Sequence, residues 1–212
     1  DEVIKNVEEI FAVDDSRTYM NRIAGYCAYE EGNYPLGLQY MDKLFATLPA
    51  DRIIKKDYIY YARILVKKNQ NYLKSVIETD GLVSDLADMK GKYPSLKSPA
   101  REKMKADMDA LQLKINESKT QLAKADAELS SAFEAYEKAI NFGEEDINLI
   151  YEKGTFQYSF HRYADAGDTW SRLLPKGRNS ENEFLQIGRA YYQAKNFEKA
   201  DKSKMLRINM GT

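Results

Sequence analysis

Between Glu183 and Ala200 the chain reads EFLQIGRAYYQAKNFEKA, and its apolar positions recur at helical spacing. Phe184, Ile187, Gly188 and Tyr191 fall at i, i+3, i+4 and i+7, one face of a helix. After a turn at Lys195-Asn196, Ala200 belongs to a second helix, and a glycine facing an alanine lets the two pack closely. Such a pair has no core of its own, so it must bury its apolar face on a neighbouring pair.

The small residues repeat this arrangement along the chain. Gly188 precedes Ala200 by 12 residues, Gly154 precedes Ala166 by 12, and Gly25 precedes Gly37 by 12. Gly154 to Gly188 and Ala166 to Ala200 are both steps of 34. Ala62 opens a further pair 37 after Gly25, with Tyr58, Tyr61 and Leu65 completing its face, but no matching second helix comes directly after it. That helix returns at Ala132, Tyr136 and Ala139, where Ala132 lies 34 before Ala166 and 70 after Ala62. A step of 70 in place of 12 means that about 58 residues, near Asn71 to Glu128, interrupt this repeat, and insertions of that kind map to loops.

The interruption has a pattern of its own. Met104, Met108, Leu111, Ile115, Ser118, Leu122, Ala125, Leu129, Ala132 and Tyr136 alternate four and three apart, a heptad seam that runs into the repeat's second helix. Leu82, Leu86, Met89 and Tyr93 form a shorter seam, and 91–98 reads as the turn between two arms of an antiparallel helical hairpin. Ser98 is placed to cap the longer arm, with Pro99 in its first turn, and Gly81 is expected to weaken or kink the shorter one.

These spacings divide the chain into a half repeat, second helix only, at 1–17; a repeat at 18–50; a repeat at 51–71 and 129–143, split by the hairpin at 72–128; a repeat at 144–178; and a truncated or atypical one at 179–212. The half repeat rests on Val3, Val7 and Ile10, which lie 34 before Gly37, Met41 and Leu44, so the array is expected to begin inside a repeat. Asp14-Asp15-Ser16 supplies a turn with an N-cap, and Ser180-Glu181-Asn182-Glu183 reads as a capping box. Trp170, four after Ala166, is expected to face the neighbouring repeat. In the last helix Lys204 and Arg207 stand where apolar residues belong, unless the register slips toward Met205 and Ile208.

With these residues the chain resembles the tetratricopeptide repeat (TPR) family, whose period is 34. GNYPLGLQYMDKLFATLP, from Gly32 to Pro49, is similar to a TPR turn and second helix ending in the terminator proline, and RYADAGDTWSRLL repeats it without that proline. The resemblance implies an all-α solenoid of helix-turn-helix pairs wound as a right-handed superhelix, here with an inserted antiparallel hairpin, and a non-enzymatic role in binding proteins or peptides. It also implies a site: Tyr19, Tyr26, Tyr29, Tyr60, Tyr151, Tyr158 and Tyr192 occupy places similar to those lining the concave groove of TPR arrays, with Arg22, Arg63 and Arg189 among them. Tyrosine suits such a surface, offering apolar area and a hydroxyl at small entropic cost, and arginine pairs with carboxylates bidentately. Arg22, Tyr26 and Tyr60 stand where a lysine-and-asparagine carboxylate clamp would begin, so chaperone tails are not expected as ligands. DYIYYARIL and its surroundings resemble exported bacterial TPR proteins, which favours the periplasm or cell envelope over the cytoplasm. The alternative to a groove binder is an assembly protein whose hairpin, or whose terminal repeats, drive self-association or docking; a third reading is an accessory region of an enzyme complex.

Composition narrows the partner. A net charge of −1 over 212 residues gives no basic excess for nucleic acid, which is excluded as a partner on that ground. No apolar run reaches the ~18 residues of a membrane span, and the longest candidate, YIYYARILV, is broken by Arg63. The start at Asp1 carries no signal-peptide pattern. Cys27, the single cysteine, excludes an intrachain disulfide and is expected to be a buried, inert thiol. His161 is the single histidine and falls at a turn, and neither a phosphate loop nor a Cys/His cluster with ligand spacing is present, so no catalytic residue, metal or cofactor is expected. Acidic pairs such as Glu30-Glu31 and Glu144-Glu145 read as solvated helix ends.

Overall fold

A computed structural model of the chain describes residues 2–14 and 17–209, with side chains through 204. The helices are α1 (Glu2–Val13), α2 (Met20–Glu30), α3 (Tyr34–Thr47), α4 (Lys55–Lys68), α5 (Tyr72–Lys92), α6 (Ala100–Ile140), α7 (Ile147–Ser159), α8 (Tyr163–Ser171), α9 (Glu181–Gln193) and α10 (Phe197–Asn209). No strand occurs among the described residues. Two compact units divide them, one holding 1–68 with 131–212 and the other 69–130.

In the larger unit three helix pairs turn by one device. Seven residues after Gly25, Gly154 and Gly188, the backbone of Gly32, His161 and Lys195 enters the left-handed region at φ 77°, 60° and 58°. In each case the next amide reaches back to a carbonyl five residues earlier at 2.8 Å: Asn33 to Ala28, Arg162 to Gln157, Asn196 to Tyr191. This is the Schellman closure, and it satisfies carbonyls that a helix end otherwise leaves open. Glycine adopts that conformation freely, whereas His161 and Lys195 do so against their own side chains. His161 is therefore explained by backbone geometry, its ring stacked on Tyr163 at 5.2 Å. Asn33 and Asn196 go on to cap the next helices, each accepting an amide three residues ahead at 3.3 Å.

Successive helices then pack neighbour on neighbour, α1 on α2, α2 on α3, α3 on α4, and α7 on α8, α8 on α9, α9 on α10, which makes an all-α solenoid of helix-turn-helix pairs. Ile4, Val7, Ala24, Ala28 and Tyr40 bury the junction of α1 with the first pair, and Met41, Leu44, Ile53 and Ile64 bury the junction with the next helix. Glycines admit the bulk of a facing side chain at these crossings. A Cβ on Gly25 would lie 2.7 Å from Met41 Sδ, and one on Gly167 would lie 2.7 Å from the Tyr191 ring. Trp170 is buried and fills the space over Gly154, its indole N–H donating to the Tyr151 carbonyl at 3.2 Å. It packs onto α7 of its own pair, because the missing side chain of that glycine leaves a recess for the indole, and it also borders a cleft with Asn182, Leu185 and Gln186 of the neighbouring repeat.

The smaller unit consists of α5 and residues 100–130 of α6, joined by a short 3-10 turn at Tyr93–Ser95. The arms are antiparallel: Tyr72 donates to Asp126 at 3.4 Å at one end, and the Arg101 guanidinium lies 4.9 Å over the Tyr93 ring at the other. Leu86 and Ile115 are buried at its centre, and Ile77 and Leu113 are exposed. At its base Asn69 donates to Glu128 at 2.9 Å, so the chain enters and leaves this unit at one place. α5 runs uninterrupted through Gly81, since hydrogen bonding on both sides carries the helix over a weak residue.

Two caps differ from the sequence reading. The Ser98 hydroxyl bonds to the Glu102 carboxylate at 2.8 Å, and that of Ser180 bonds to Glu183, so each hydroxyl meets a side chain rather than a helix amide, although the Glu183 carboxylate also accepts from the Ser180 backbone amide, which is the reciprocal half of a capping box. A flexible carboxylate one turn ahead competes for the same hydroxyl. The cap at Asp14-Asp15-Ser16 depends on residues 15 and 16, which lie outside the described residues, as do the side chains of Met205, Arg207 and Ile208 on which the register of the last helix depends.

Gly154→Ala should lower stability by about 1–3 kcal/mol through overpacking against Trp170. On helix propensity alone the same change would stabilise by up to about 1 kcal/mol, so the sign of the shift in the denaturant midpoint decides whether the indole occupies this recess.

Candidate functional site

The residues that the sequence singles out separate into two groups. The first surrounds Asp57, a carboxylate with 0% exposure in the first turn of α4. Arg22 grips it with two bonds of 2.7 Å, from Nε and a terminal nitrogen. The Tyr26 phenol donates to it at 2.7 Å, and the amide of Ile54 at 2.9 Å. Both carboxylate oxygens are thus fully used, which is what makes a buried charge tolerable. The bond to Asp57 raises the Arg22 pKa, and burial followed by the same carboxylate pushes that of the Tyr26 phenol far up. Tyr26 also stacks on Tyr60 with centroids 3.9 Å apart, and Lys56 lies over both rings at 5.2 and 5.4 Å. Tyr60 donates to Glu30 at 2.7 Å, and that bond, with burial, takes its pKa up to about 12. Tyr29 meets the Tyr60 ring edge-on at 5.3 Å. Tyr19, which precedes the first residue of α2, is exposed.

A second clamp of the same kind comes next along the array. Arg63 on α4 holds Glu152 on α7 through bonds of 2.7 and 2.6 Å, and the buried Tyr136 phenol donates to the same carboxylate at 2.6 Å. The Glu152 bond outweighs the desolvation of the Arg63 guanidinium and raises its pKa. Arg22 and Arg63 therefore hold repeats together, and their guanidinium groups are already occupied by this chain's own carboxylates.

The second group remains open. Tyr158, Leu185, Arg189, Tyr192, Asp201 and Lys204 are among the residues that line a cleft of about 500 Å3 walled by α7, α9 and α10. A neighbouring cleft of about 420 Å3 carries Tyr151, Thr155 and Gln186 and shares Tyr158, Leu185 and Arg189 with the first. Tyr192 is 63% exposed and touches Phe197 edge-on at 5.6 Å. Tyr151 is exposed beneath the Arg178 guanidinium at 5.5 Å, and Tyr158 leans on Tyr163 and Trp170 at 5.0 and 5.7 Å. Arg189 is exposed and makes no hydrogen bond or ion pair among the described residues.

One register relates the two groups. The residue after the small anchor of each first helix meets the residue two before the anchor in the next. Tyr26 meets Tyr60 in this way, Arg63 meets Glu152, and Thr155 and Gln186 line one cleft together. Arg189, directly after Gly188, occupies the next place in the series.

Asp57 and Glu152 escaped the sequence reading because their partners lie 35 and 89 residues away, although Asp57 at the third position of a helix, accepting the amide three before it, is a recognisable capping signal. Elsewhere Glu137 binds Lys153 at 2.6 Å and Arg172 at 2.9 Å, and Asp168 binds Lys199 at 2.6 Å and Tyr191 at 2.8 Å. Burial opposes both charges, and these bonds outweigh it, so both pKa values are lowered. Cys27 is half-buried against the α1–α2 core. Among the described residues no group of three or more His, Cys, Asp or Glu is placed to hold a metal ion, and no helix is long and apolar enough to cross a membrane.

No protein-family profile matches the chain, and no curated protein does. Among solved structures, it is similar to the C-terminal part of a TPR repeat-containing protein from Cytophaga hutchinsonii, with 20% identity over 97% of this chain and 72% of that one, and a TM-score of 0.33.

Asp57→Ala should cost about 3–5 kcal/mol, the scale for removing one partner of a buried charge pair, whereas Arg189→Ala should stay within about 0.5 kcal/mol of the parent. Guanidinium-induced unfolding of the two variants checks both. Acidification supplies a separate measurement. Glu137 and Asp168 titrate lower folded than unfolded, so their contribution is complete above the ordinary carboxylate pKa of about 4 and is lost as pH falls through the folded values. The melting temperature should fall over that window, and less steeply in Glu137→Gln.

Proposed function

We propose that this protein is a non-enzymatic TPR scaffold that binds a peptide segment of a partner protein in the cleft walled by α7, α9 and α10. The observation that carries the reading is the state of the aromatic and cationic residues there. Of the tyrosines and arginines set along the first helices, Arg22, Tyr26, Tyr60 and Arg63 are bound to internal carboxylates. Arg189 and Tyr192 keep their polar and aromatic surfaces turned to a cavity large enough for side chains of a ligand. A rigid aromatic beside a guanidinium that has no ion-pair partner among the described residues is the combination that supplies binding energy at protein interfaces.

The repeat division supports the same reading. With 18–50, 51–71 plus 129–143, 144–178 and 179–212 as repeats and 72–128 as an inserted hairpin, the ligand surface belongs to the last two repeats, and Arg22, Tyr26, Tyr29, Tyr60 and Arg63 serve the first two as structure.

A displayed random-peptide library selected on the intact protein tests this. Selected peptides should bind Tyr192→Ala more weakly by about 1–3 kcal/mol, the scale of an interface hot spot, with its melting temperature unchanged. Binders indifferent to Tyr192→Ala, and competing instead with substitutions at exposed Tyr19, would move the site to the other end of the array.

A further inference from the structure

We propose that the free end of the hairpin docks on an anionic phospholipid surface. Residues 69–130 carry ten lysines and arginines and ten carboxylates, so the unit as a whole is neutral. Its two signs are separated along its length. Six of the cations and one carboxylate fall in 89–106, the turn and the helix ends that flank it, which leaves four cations and nine carboxylates for the rest. Lys90, Lys92, Lys97, Arg101, Lys103 and Lys105 are all exposed. None of these five lysines closes an ion pair among the described residues, although Asp88, Asp107 and Asp109 stand four positions from Lys92, Lys103 and Lys105. The same spacing does close one on the shorter arm, between Lys74 and Glu78 at 3.7 Å. Glu102, the one acid at this end, accepts from the Ser98 hydroxyl at 2.8 Å.

The pattern of charge selects the kind of partner. Asp85, Asp88, Asp107 and Asp109 follow within about two helical turns of the end, so a polyanion lying along the arms meets like charge. A plane approached end-on meets the cations first, and with a Debye length of about 8 Å the carboxylates behind them act on it more weakly. Residue type points the same way. Five of the six cations are lysines, point charges drawn to a headgroup layer without a fixed geometry, whereas the planar fork of arginine is the group suited to recognising nucleic-acid phosphates. A single strand binds by stacking its bases on open aromatic faces, and the one aromatic at this end, Tyr93, already lies beneath the Arg101 guanidinium at 4.9 Å. Leu96 and Met104, half-buried among lysines whose stems can extend past them, add the apolar surface that a headgroup boundary accepts. No helix among the described residues is long and apolar enough to cross a membrane, so the contact proposed is with its surface.

Cosedimentation of the intact protein with vesicles tests this. Vesicles of equimolar phosphatidylcholine and phosphatidylglycerol should retain it, phosphatidylcholine alone should not, and added salt should release it. The combined variant Lys92→Gln, Lys97→Gln, Lys103→Gln should be retained about tenfold or more weakly, since each basic residue near an anionic surface contributes roughly fivefold. Lys114→Gln, Lys119→Gln, Lys124→Gln changes the net charge equally, away from the end, and should stay within about twofold of the parent. Both variants should keep the parent melting temperature, because the exchanged side chains are exposed. Equal loss in the two variants would assign the effect to overall charge, and equal retention by the uncharged vesicles would remove charge from it; either result overturns the proposal. So does a parent protein that anionic vesicles fail to retain. Tighter binding of duplex or single-stranded polynucleotide than of the vesicles at the same salt, lost in the first variant, would reassign this end to nucleic acid and overturns it as well.

Discussion

A carboxylate without access to water joins the first repeat to the second. Asp57 accepts from Arg22, Tyr26 and the amide of Ile54, and these donors come from one helix and from the turn that leads into the next repeat. Apolar packing alone fixes how far apart two helix pairs lie but leaves them able to slide, since one leucine is much like another along a ridge. A charge that must find a particular guanidinium removes that freedom. Glu152 does the same one repeat further on, with Arg63 and Tyr136 as its donors. The array is thus indexed at two rungs by polar clamps whose geometry tolerates no shift of a residue.

This indexing explains why similar residues have different fates. Arg63 and Arg189 stand at the same place relative to their anchors, yet one is half-buried in an ion pair and the other faces an open cleft. The difference lies in the neighbour that each meets further along the solenoid, and no property of the local sequence encodes it. The aromatic residues divide likewise: Tyr26 is stacked and hydrogen bonded, and Tyr192 is exposed.

The all-α solenoid was legible in the sequence because close packing leaves a periodic trace, small residues 12 and 34 apart, and because period follows from helix geometry rather than from any one contact. The hairpin seam was legible for the same reason: Ile115 and Leu129 are buried, Ser118, Leu122 and Ala125 are half-buried, and most positions between them are exposed. Trp170 shows the limit of periodicity, which places a side chain on a face but not in a particular recess. Charged contacts leave no period, so Asp57 and Glu152, whose partners lie 35 and 89 residues away, could not be read from spacing, nor could the occupation of Arg22 and Arg63. Serine hydroxyls at helix starts were misread because a nearby glutamate competes with the amide, a choice settled by rotamers.

The bond between Asn69 and Glu128 has an evolutionary consequence. With the two crossing points of the chain fastened together, whatever lies beyond them is a closed excursion, and the entropy of closing it rises only with the logarithm of its length. Whole heptads can be added to or removed from α5 and α6 in matched pairs at little thermodynamic penalty, while the closing contact remains unchanged. Relatives of this chain should therefore differ most in the length of that excursion and least in the few residues on either side of its neck.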